Sequence, residues 1–441
     1  MNKKNHSFIC NLCSHIYIKW QGCCYECNAY NSIVENTITT IIKKESKIAF
    51  LQSMDMINVT ERGSRIVTGI LEFDRVLGGG ILQDSVILLS GNPGIGKSTF
   101  LLQLVCAISD KQKILYISTE ESESQIKLRL LRLENQKTNW SIIQETNFEI
   151  IINTIESYQP GLVIIDSLQN MIIDQSEGFS GHIQKLKEMM QIIVDHAKKN
   201  HYIIIITGHV TKDGAIAGPK LLEHLVDTVL YFQAEEDSPL RILRSTKNRF
   251  GSIEEVGFFI MTKTGMQECQ NPQEIFIENN KPAVGSALTW IEEGSRPFLI
   301  EIQTLLNKTR NNTPQRVIHG LDNKQFLLLC AVLEKYLKIP LYEYDIFSKV
   351  AGNYKIKSSH ADLAIIMSIL SSYANHHYVK KIVYHGEISL SGRISTKYGI
   401  SDKLPLKKYG IEELITAKGY LKECAISKLE LETIFEIPTL F

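Results

Sequence analysis

The sequence lacks any excess of charge: Lys and Arg number 48, Asp and Glu 48, and the formal net charge is zero. A field that draws the whole molecule onto a polyanion is therefore excluded, and any affinity for nucleic acid must reside in local patches. Long apolar runs are also missing. The most hydrophobic stretches have the length of β-strands, so no segment reads as a membrane span. The opening residues Met1-Asn2-Lys3-Lys4-Asn5-His6 are basic, but polar residues and a cysteine follow them instead of an apolar signal region. A cytoplasmic protein with no membrane partner is expected. What is present suffices for folding, since 44% of the 441 residues are hydrophobic. That length corresponds to about two or three domains.

The most informative segment is Gly91-Asn92-Pro93-Gly94-Ile95-Gly96-Lys97-Ser98-Thr99, which follows the apolar strand Val86 to Leu89. An amphipathic helix carrying Thr99, Leu102, Gln103 and Cys106 comes directly after it. Glycine at 91 and 96 lets backbone approach phosphate oxygens, and consecutive N–H groups with the helix N-terminus face the anion. In such a loop Lys97 reaches the β- and γ-phosphates, and the Ser98 hydroxyl completes a Mg²⁺ shell. A nucleoside triphosphate and magnesium are the expected ligands of residues 91 to 99.

A second signal is independent of the first. Cys10-x2-Cys13 and Cys24-x2-Cys27 are two knuckles ten residues apart, and each turn aims both sulfurs at one centre, as a tetrahedral zinc site requires. Two disulfides are the competing arrangement, disfavoured in a reducing cytosol. Four thiolates leave no open position, so the zinc would be structural, and a module this small would draw its folding energy from the metal. Cys23, beside Cys24, is a spare thiol that could exchange into the site.

These features divide the chain into a zinc module over 1–34, a polar linker over 35–64 containing Lys43-Lys44-Glu45, a motor domain over 65–277 and a second α/β domain over 278–441. From Ile66 to about Ile277 apolar strands alternate with amphipathic helices, the signature of an α/β fold with a mostly parallel sheet covered on both faces. Strands are expected at Val86 to Leu89, Ile114 to Ser118, Leu162 to Ile165, Tyr202 to Thr207 and Val229 to Phe232. The spacing of Ile183, Leu186, Met189, Met190, Ile193 and Ala197 predicts a helix over Ile183 to Lys199.

Two carboxylates complete an ATPase reading. Leu162-Val163-Ile164-Ile165-Asp166 is a buried strand ending in an acid, and with a phosphate loop present Asp166 is expected to hold Mg²⁺ through its water shell. The strand ending at Ser118 runs into Thr119-Glu120-Glu121. Glu120 is the preferred candidate to polarise the attacking water, with Glu121 the alternative, because periodicity cannot choose between neighbours.

Four segments together carry a family resemblance: the cysteine module, Thr68-Gly69-Ile70-Leu71-Glu72-Phe73-Asp74-Arg75-Val76-Leu77-Gly78-Gly79-Gly80, Gly208-His209-Val210-Thr211-Lys212-Asp213-Gly214, and Lys247-Asn248-Arg249-Phe250-Gly251. They resemble the RadA (Sms) family of bacterial DNA repair proteins along essentially the whole chain. The resemblance implies a RecA-like P-loop core, a hexameric ring, and a DNA-dependent ATPase or helicase driving branch migration or processing of recombination intermediates, with single-stranded and branched DNA and a recombinase as partners. It makes Lys247 and Arg249 catalytic cations supplied to a neighbouring subunit's nucleotide, and His209 a sensor of the γ-phosphate. The loops Asp174 to Gly181 and Thr211 to Lys220 would line the channel, with Phe179, Lys212 and Lys220 toward DNA.

Ala361-Asp362-Leu363-Ala364 and Gly386-Glu387-Ile388-Ser389-Leu390-Ser391-Gly392 are similar to the proteolytic domain of Lon. The Ser–Lys dyad of that domain would fall on His360 and Ser401, so a non-proteolytic scaffold is expected. A dyad shifted to Ser358 or Ser359 and Lys403 keeps a protease reading open. Between Lys380 and Tyr409, Lys or Arg at 380, 381, 393, 397, 403, 407 and 408 outnumber Glu387 and Asp402, a pattern suited to tracking phosphates. A RecA-like strand-exchange filament is another rival, and a signalling ATPase of the clock-protein type is the third. It shares the core but needs neither the cysteines nor the tail.

Overall fold

The computed structural model describes residues 8–13, 15–17, 19–35, 64–133, 137, 139–172, 182–209, 222–234, 239–278, 281–310, 313–396, 406–419 and 426–440. The chain forms two compact units, Met1–Asn58 and Val59–Phe441. In the first, the strands Ile16–Tyr17, Phe8–Cys10 and Ile33–Glu35 make a three-stranded antiparallel sheet. Its core is Cys10, Cys24 and Ile33 with Phe8 and Tyr17 against them, too little apolar surface to offset the entropy of ordering the chain.

The second unit holds two large sheets. From edge to edge, the nine-stranded sheet runs Gly265–Glu268, Val256–Thr262, Leu240–Asn248, Thr228–Gln233, Val86–Gly91, Ile203–His209, Leu162–Asp166, Ile114–Ser118 and Ser141–Gln144. The last six are parallel and the first three antiparallel. All five expected strands are present, each within two residues of its expected ends. The parallel edge strand Ser141–Gln144 and the antiparallel three were not resolved from periodicity.

All six residues of Val86–Gly91 are buried because both faces of its sheet are covered, which is why the strand reads as an unbroken apolar run. Ile87 and Leu89 enter one core with Phe100, Leu101 and Leu104 of the helix Lys97–Ile108. Val86 and Leu88 enter the opposite core with Leu186, Met189, Met190, Ile193 and Ala197 of the helix His182–Asn200. Five of the six residues of the expected stripe thus lie on the buried face, and the side chain of Ile183 is outside the described residues.

The seven-stranded sheet runs Arg316–His319, Tyr344–Val350, Arg296–Lys308, Ser286–Glu293, Ile382–His385, Glu413–Ala417 and Ser427–Leu431. Leu240, Ile242, Val256 and Phe258 of the first sheet share one apolar core with Phe298 and Ile300 of the second and with Phe276. The tip of the hairpin joining Ser286–Glu293 to Arg296–Lys308 docks on the first sheet. Gly294 has φ +58°, and a Cβ there would lie 1.7 Å from Glu254 O, so the approach requires glycine. Beside it Arg296 pairs with the buried Glu72, which also accepts from Phe258 N at 2.9 Å.

Asp362 opens the buried helix Asp362–Ala374, accepting from Gln325 Nε2 at 2.9 Å and Ile388 N at 3.2 Å. Burial pushes its carboxyl from 3.8 up to about 7, against those two hydrogen bonds. The folded state therefore holds a proton that the unfolded chain has released, and its contribution to stability is present below pH 3.8 and lost as pH rises through about 7. Asp362→Asn removes this dependence: its melting temperature should gain on wild type between pH 5 and 8, by several degrees, as scanning calorimetry would show. A constant difference across that range would rule out Asp362 as the titrating group.

Candidate nucleotide site and cysteine cluster

Parallel strands end on one edge of a sheet, and register decides what meets there. Gly91 lies opposite His209 on one side and Phe232 on the other, while Ser118 lies opposite Asp166. The phosphate loop, the Thr119–Glu121 turn and Asp166 are thereby brought to the same edge, where ligands of open α/β sheets bind. Gly91 has φ +149° and a Cβ on it would lie 2.8 Å from Phe232 O. At Gly96, φ +109°, a Cβ would meet Met261 Cε at 2.3 Å. The loop can hold its shape with no other residue at these two positions.

Lys97 begins the helix that follows the loop, with Ser98 and Thr99 behind it. Its side chain is buried, and Nζ donates to Gly91 O at 2.9 Å and Asn92 O at 3.2 Å. Burial lowers its pKa, and the charges of Asp166 and Glu120 act against that loss. The three side chains therefore share one electrostatic site. Asp166 accepts from Tyr116 OH at 2.8 Å through Oδ2 and from Thr207 Oγ1 at 2.7 Å through Oδ1. Burial drives the Tyr116 hydroxyl well above the usual phenol range, so it stays a donor.

The two glutamates are distinguished by their partners. Glu121 forms an ion pair with Arg129 at 2.5 Å, whereas Glu120 Oε1 receives the Ser167 hydroxyl at 2.6 Å and lies near Lys97. Glu120 is thus the carboxylate turned to the nucleotide edge. His209 is beside Gly91 in register. The two expected channel loops, with Phe179, Lys212 and Lys220, lie outside the described residues.

Lys247 and Arg249 are not brought to this edge. Their strand runs antiparallel to Thr228–Gln233, so Lys247 lies opposite Val229, near the start of the parallel strands. Lys247 Nζ donates to Glu223 O and Val226 O, both at 2.7 Å, and Arg249 Nη1 is 3.2 Å from Asp227 Oδ1. Asp227 Oδ2 in turn accepts from Val86 N at 3.2 Å. The five residue steps from Val86 to Gly91 put both cations about 17 Å from the phosphate loop of their own chain.

Sequence reading missed three contacts from adjacent strands. Tyr231 OH donates to Asn92 Oδ1 at 3.4 Å, Arg241 Nε donates to Ile95 O at 3.4 Å, and Met261 packs on Gly96. No local pattern announces them, because only strand register places these residues beside the loop.

In the N-terminal unit the Sγ atoms of Cys10, Cys13, Cys24 and Cys27 all lie within 4.8 Å of one another. Cys10 and Cys27 are 3.7 Å apart and Cys13 and Cys24 are 3.4 Å apart. Zinc–sulfur bonds in a tetrahedron require about 3.8 Å between sulfurs, so the cluster has the dimensions of an S₄ zinc site. Cys10 Sγ is 3.3 Å from Ser32 Oγ and Cys24 Sγ is 3.2 Å from Tyr17 OH, an outer shell not foreseen from spacing. Cys23 lies apart, its Sγ directed to Cys24 O at 3.7 Å.

In the C-terminal lobe His360, at the expected nucleophile position, stacks at 5.1 Å on His385, which stacks at 3.9 Å on Trp290. Burial, aided by the neighbouring His360, depresses the His385 imidazole to about 3. Ser358 caps this turn, accepting from His360 N, while Ser401 and Lys403 lie outside the described residues. Of the basic run, Lys407 and Lys408 are exposed, but Lys380 is 3.6 Å from Glu413 and Lys381 donates to Tyr409 O. Lys397 and Lys403 are not among the described residues. No helix among the described residues is long and apolar enough to cross a membrane.

Residues 66–146 match the KaiC ATPase family model, the span that contains the phosphate loop and Glu120. The chain is also similar to whole proteins. It is 37% identical to the DNA repair protein RadA of Pseudomonas aeruginosa, over 99% of this chain and all of that one. Identity is 37% with RadA of Helicobacter pylori, over 99% of both chains, and 42% with RadA of Rickettsia bellii, over 89% of both. A RecA-like ATPase domain sits within this likeness, and the likeness continues through the cysteine module before it and the lobe after it. The chain belongs to the RadA family of DNA repair proteins.

Proposed function

We propose that the chain is a DNA-dependent ATPase of recombinational repair that works as a ring, driving branch migration or processing of recombination intermediates, with single-stranded and branched DNA as its partners. The observation that carries this reading is the joining of the phosphate loop, Lys97, Glu120 and Asp166 at one sheet edge, with Lys247 and Arg249 held at the opposite edge. Such a division suits a site shared between neighbouring subunits. Bound Mg²⁺ would neutralise developing phosphate charge, with Ser98 and Asp166 placed to hold it. Lys97 would move from its two loop carbonyls to the γ-phosphate. Glu120 would take the proton of the attacking water.

The four-cysteine cluster would take zinc as a structural ion. In the C-terminal lobe, a histidine stack where a Lon-like nucleophile would stand favours a scaffold that contacts DNA and the recombinase partner. ATP turnover by the full chain should rise at least severalfold with single-stranded DNA. Turnover unchanged by DNA would favour the signalling-ATPase reading.

A further inference from the structure

The two carboxylates of the nucleotide edge are held by different means. Asp166 is fixed through both oxygens by Tyr116 and Thr207. Glu120 lies in an exposed turn with three rotatable side-chain bonds, and Ser167 Oγ donates to its Oε1 at 2.6 Å. Ser167 itself is fully buried. Its backbone is gripped from both sides by one hydroxyl: Thr119 Oγ1 donates to Ser167 O at 2.7 Å and accepts from Ser167 N at 2.9 Å. Thr119 N also donates to Asp166 O at 2.9 Å, stapling the two strand ends together. The hydroxyl that meets Glu120 is therefore aimed by rigid, buried backbone.

We propose that Ser167 is a positioning residue, whose buried hydroxyl orients the Glu120 carboxylate toward the phosphate loop for proton abstraction from the attacking water. This role rests on Glu120 being the base. A hydrogen bond from an anchored donor to a carboxylate restricts where the charge can sit, and a general base works only within hydrogen-bond reach of its proton. Ser167 is fully buried with its hydroxyl committed to Glu120, so its loss should be felt in turnover and not in binding.

The test uses the full-length protein with Mg-ATP. In Ser167→Ala, kcat should fall about tenfold to a hundredfold, the scale of one charge-assisted hydrogen bond. KM and the affinity for a fluorescent ATP analogue should stay within about twofold of wild type, as expected when only transition-state positioning is lost. The Thr119 contacts are to backbone and survive the substitution. Ser167→Cys, which keeps a side chain but donates weakly, should behave alike and takes the place of the alanine variant if that melts at a lower temperature.

In Glu120→Gln the base is already absent, so adding Ser167→Ala should slow it no further. A wild-type kcat in the Ser167 variant overturns the role, and so does additive slowing in the Glu120→Gln background. Wild-type turnover by Glu120→Gln alone has a different meaning: the base then lies elsewhere, and the reading beneath this one fails with it.

Discussion

Lys97→Ala should abolish ATP turnover, a loss of at least about a thousandfold, because the γ-phosphate then has no cation from its own chain. The fold should survive. Lys97 is buried at the loop with its pKa lowered by desolvation, so the native state bears a cost in holding it there, and alanine relieves that cost. The melting temperature is accordingly expected to match or exceed that of wild type while turnover vanishes. Substantial residual turnover would show that another cation reaches the phosphates, and Arg241, bonded to Ile95 O, is the residue to remove next.

The second large effect concerns the opposite edge. Arg249→Ala and Lys247→Ala should each bind nucleotide normally and hydrolyse it at least about a hundredfold more slowly, as loss of a cation supplied across a subunit boundary does. Neither cation can act within its own chain at a distance of about 17 Å. Mixing Arg249→Ala with Lys97→Ala protein, each inactive alone, should therefore restore activity. In an equal mixture about a quarter of the interfaces in a cyclic assembly pair an intact loop with an intact cation. Turnover approaching that fraction of wild type is the expected result, and none at any ratio would place both residues in another role. Arg249 is half-exposed, and Lys198 also reaches Asp227 at 3.2 Å. Asp227 is buried, but without Arg249 it keeps Lys198 and Val86 N as partners, so its charge is not left unpaired and the effect should be confined to turnover.

The parts of this protein whose signal is local can be read along the chain alone. Val86–Gly91 and Leu162–Asp166 are apolar runs because both faces of the sheet are covered, and the helix His182–Asn200 shows its buried stripe at a spacing that one turn after another repeats. The phosphate loop was legible for the same reason. Each of its glycines has a positive φ, a demand of the local backbone, although the neighbours that crowd Gly91 and Gly96 come from distant strands. Two cysteine pairs at fixed spacing likewise carried their geometry with them, and their sulfurs converge within 4.8 Å.

The remaining features are settled by packing, through the register between separate elements of the chain. Glu120 and Glu121 are equivalent in any periodic reading, and they separate only because Ser167 and Arg129 arrive from different elements. Tyr116 and Thr207 read as ordinary strand residues until strand pairing brings both to Asp166. The contacts of Arg241 and Tyr231 with the loop, and the stack of His360, His385 and Trp290, arise in the same way. The antiparallel direction of Leu240–Asn248 sends Lys247 and Arg249 to the far edge. The spacing of residues along a chain encodes which face of an element is buried, but which atoms of two distant elements touch is settled by how those faces pack, and hydrogen-bond partners follow from that packing.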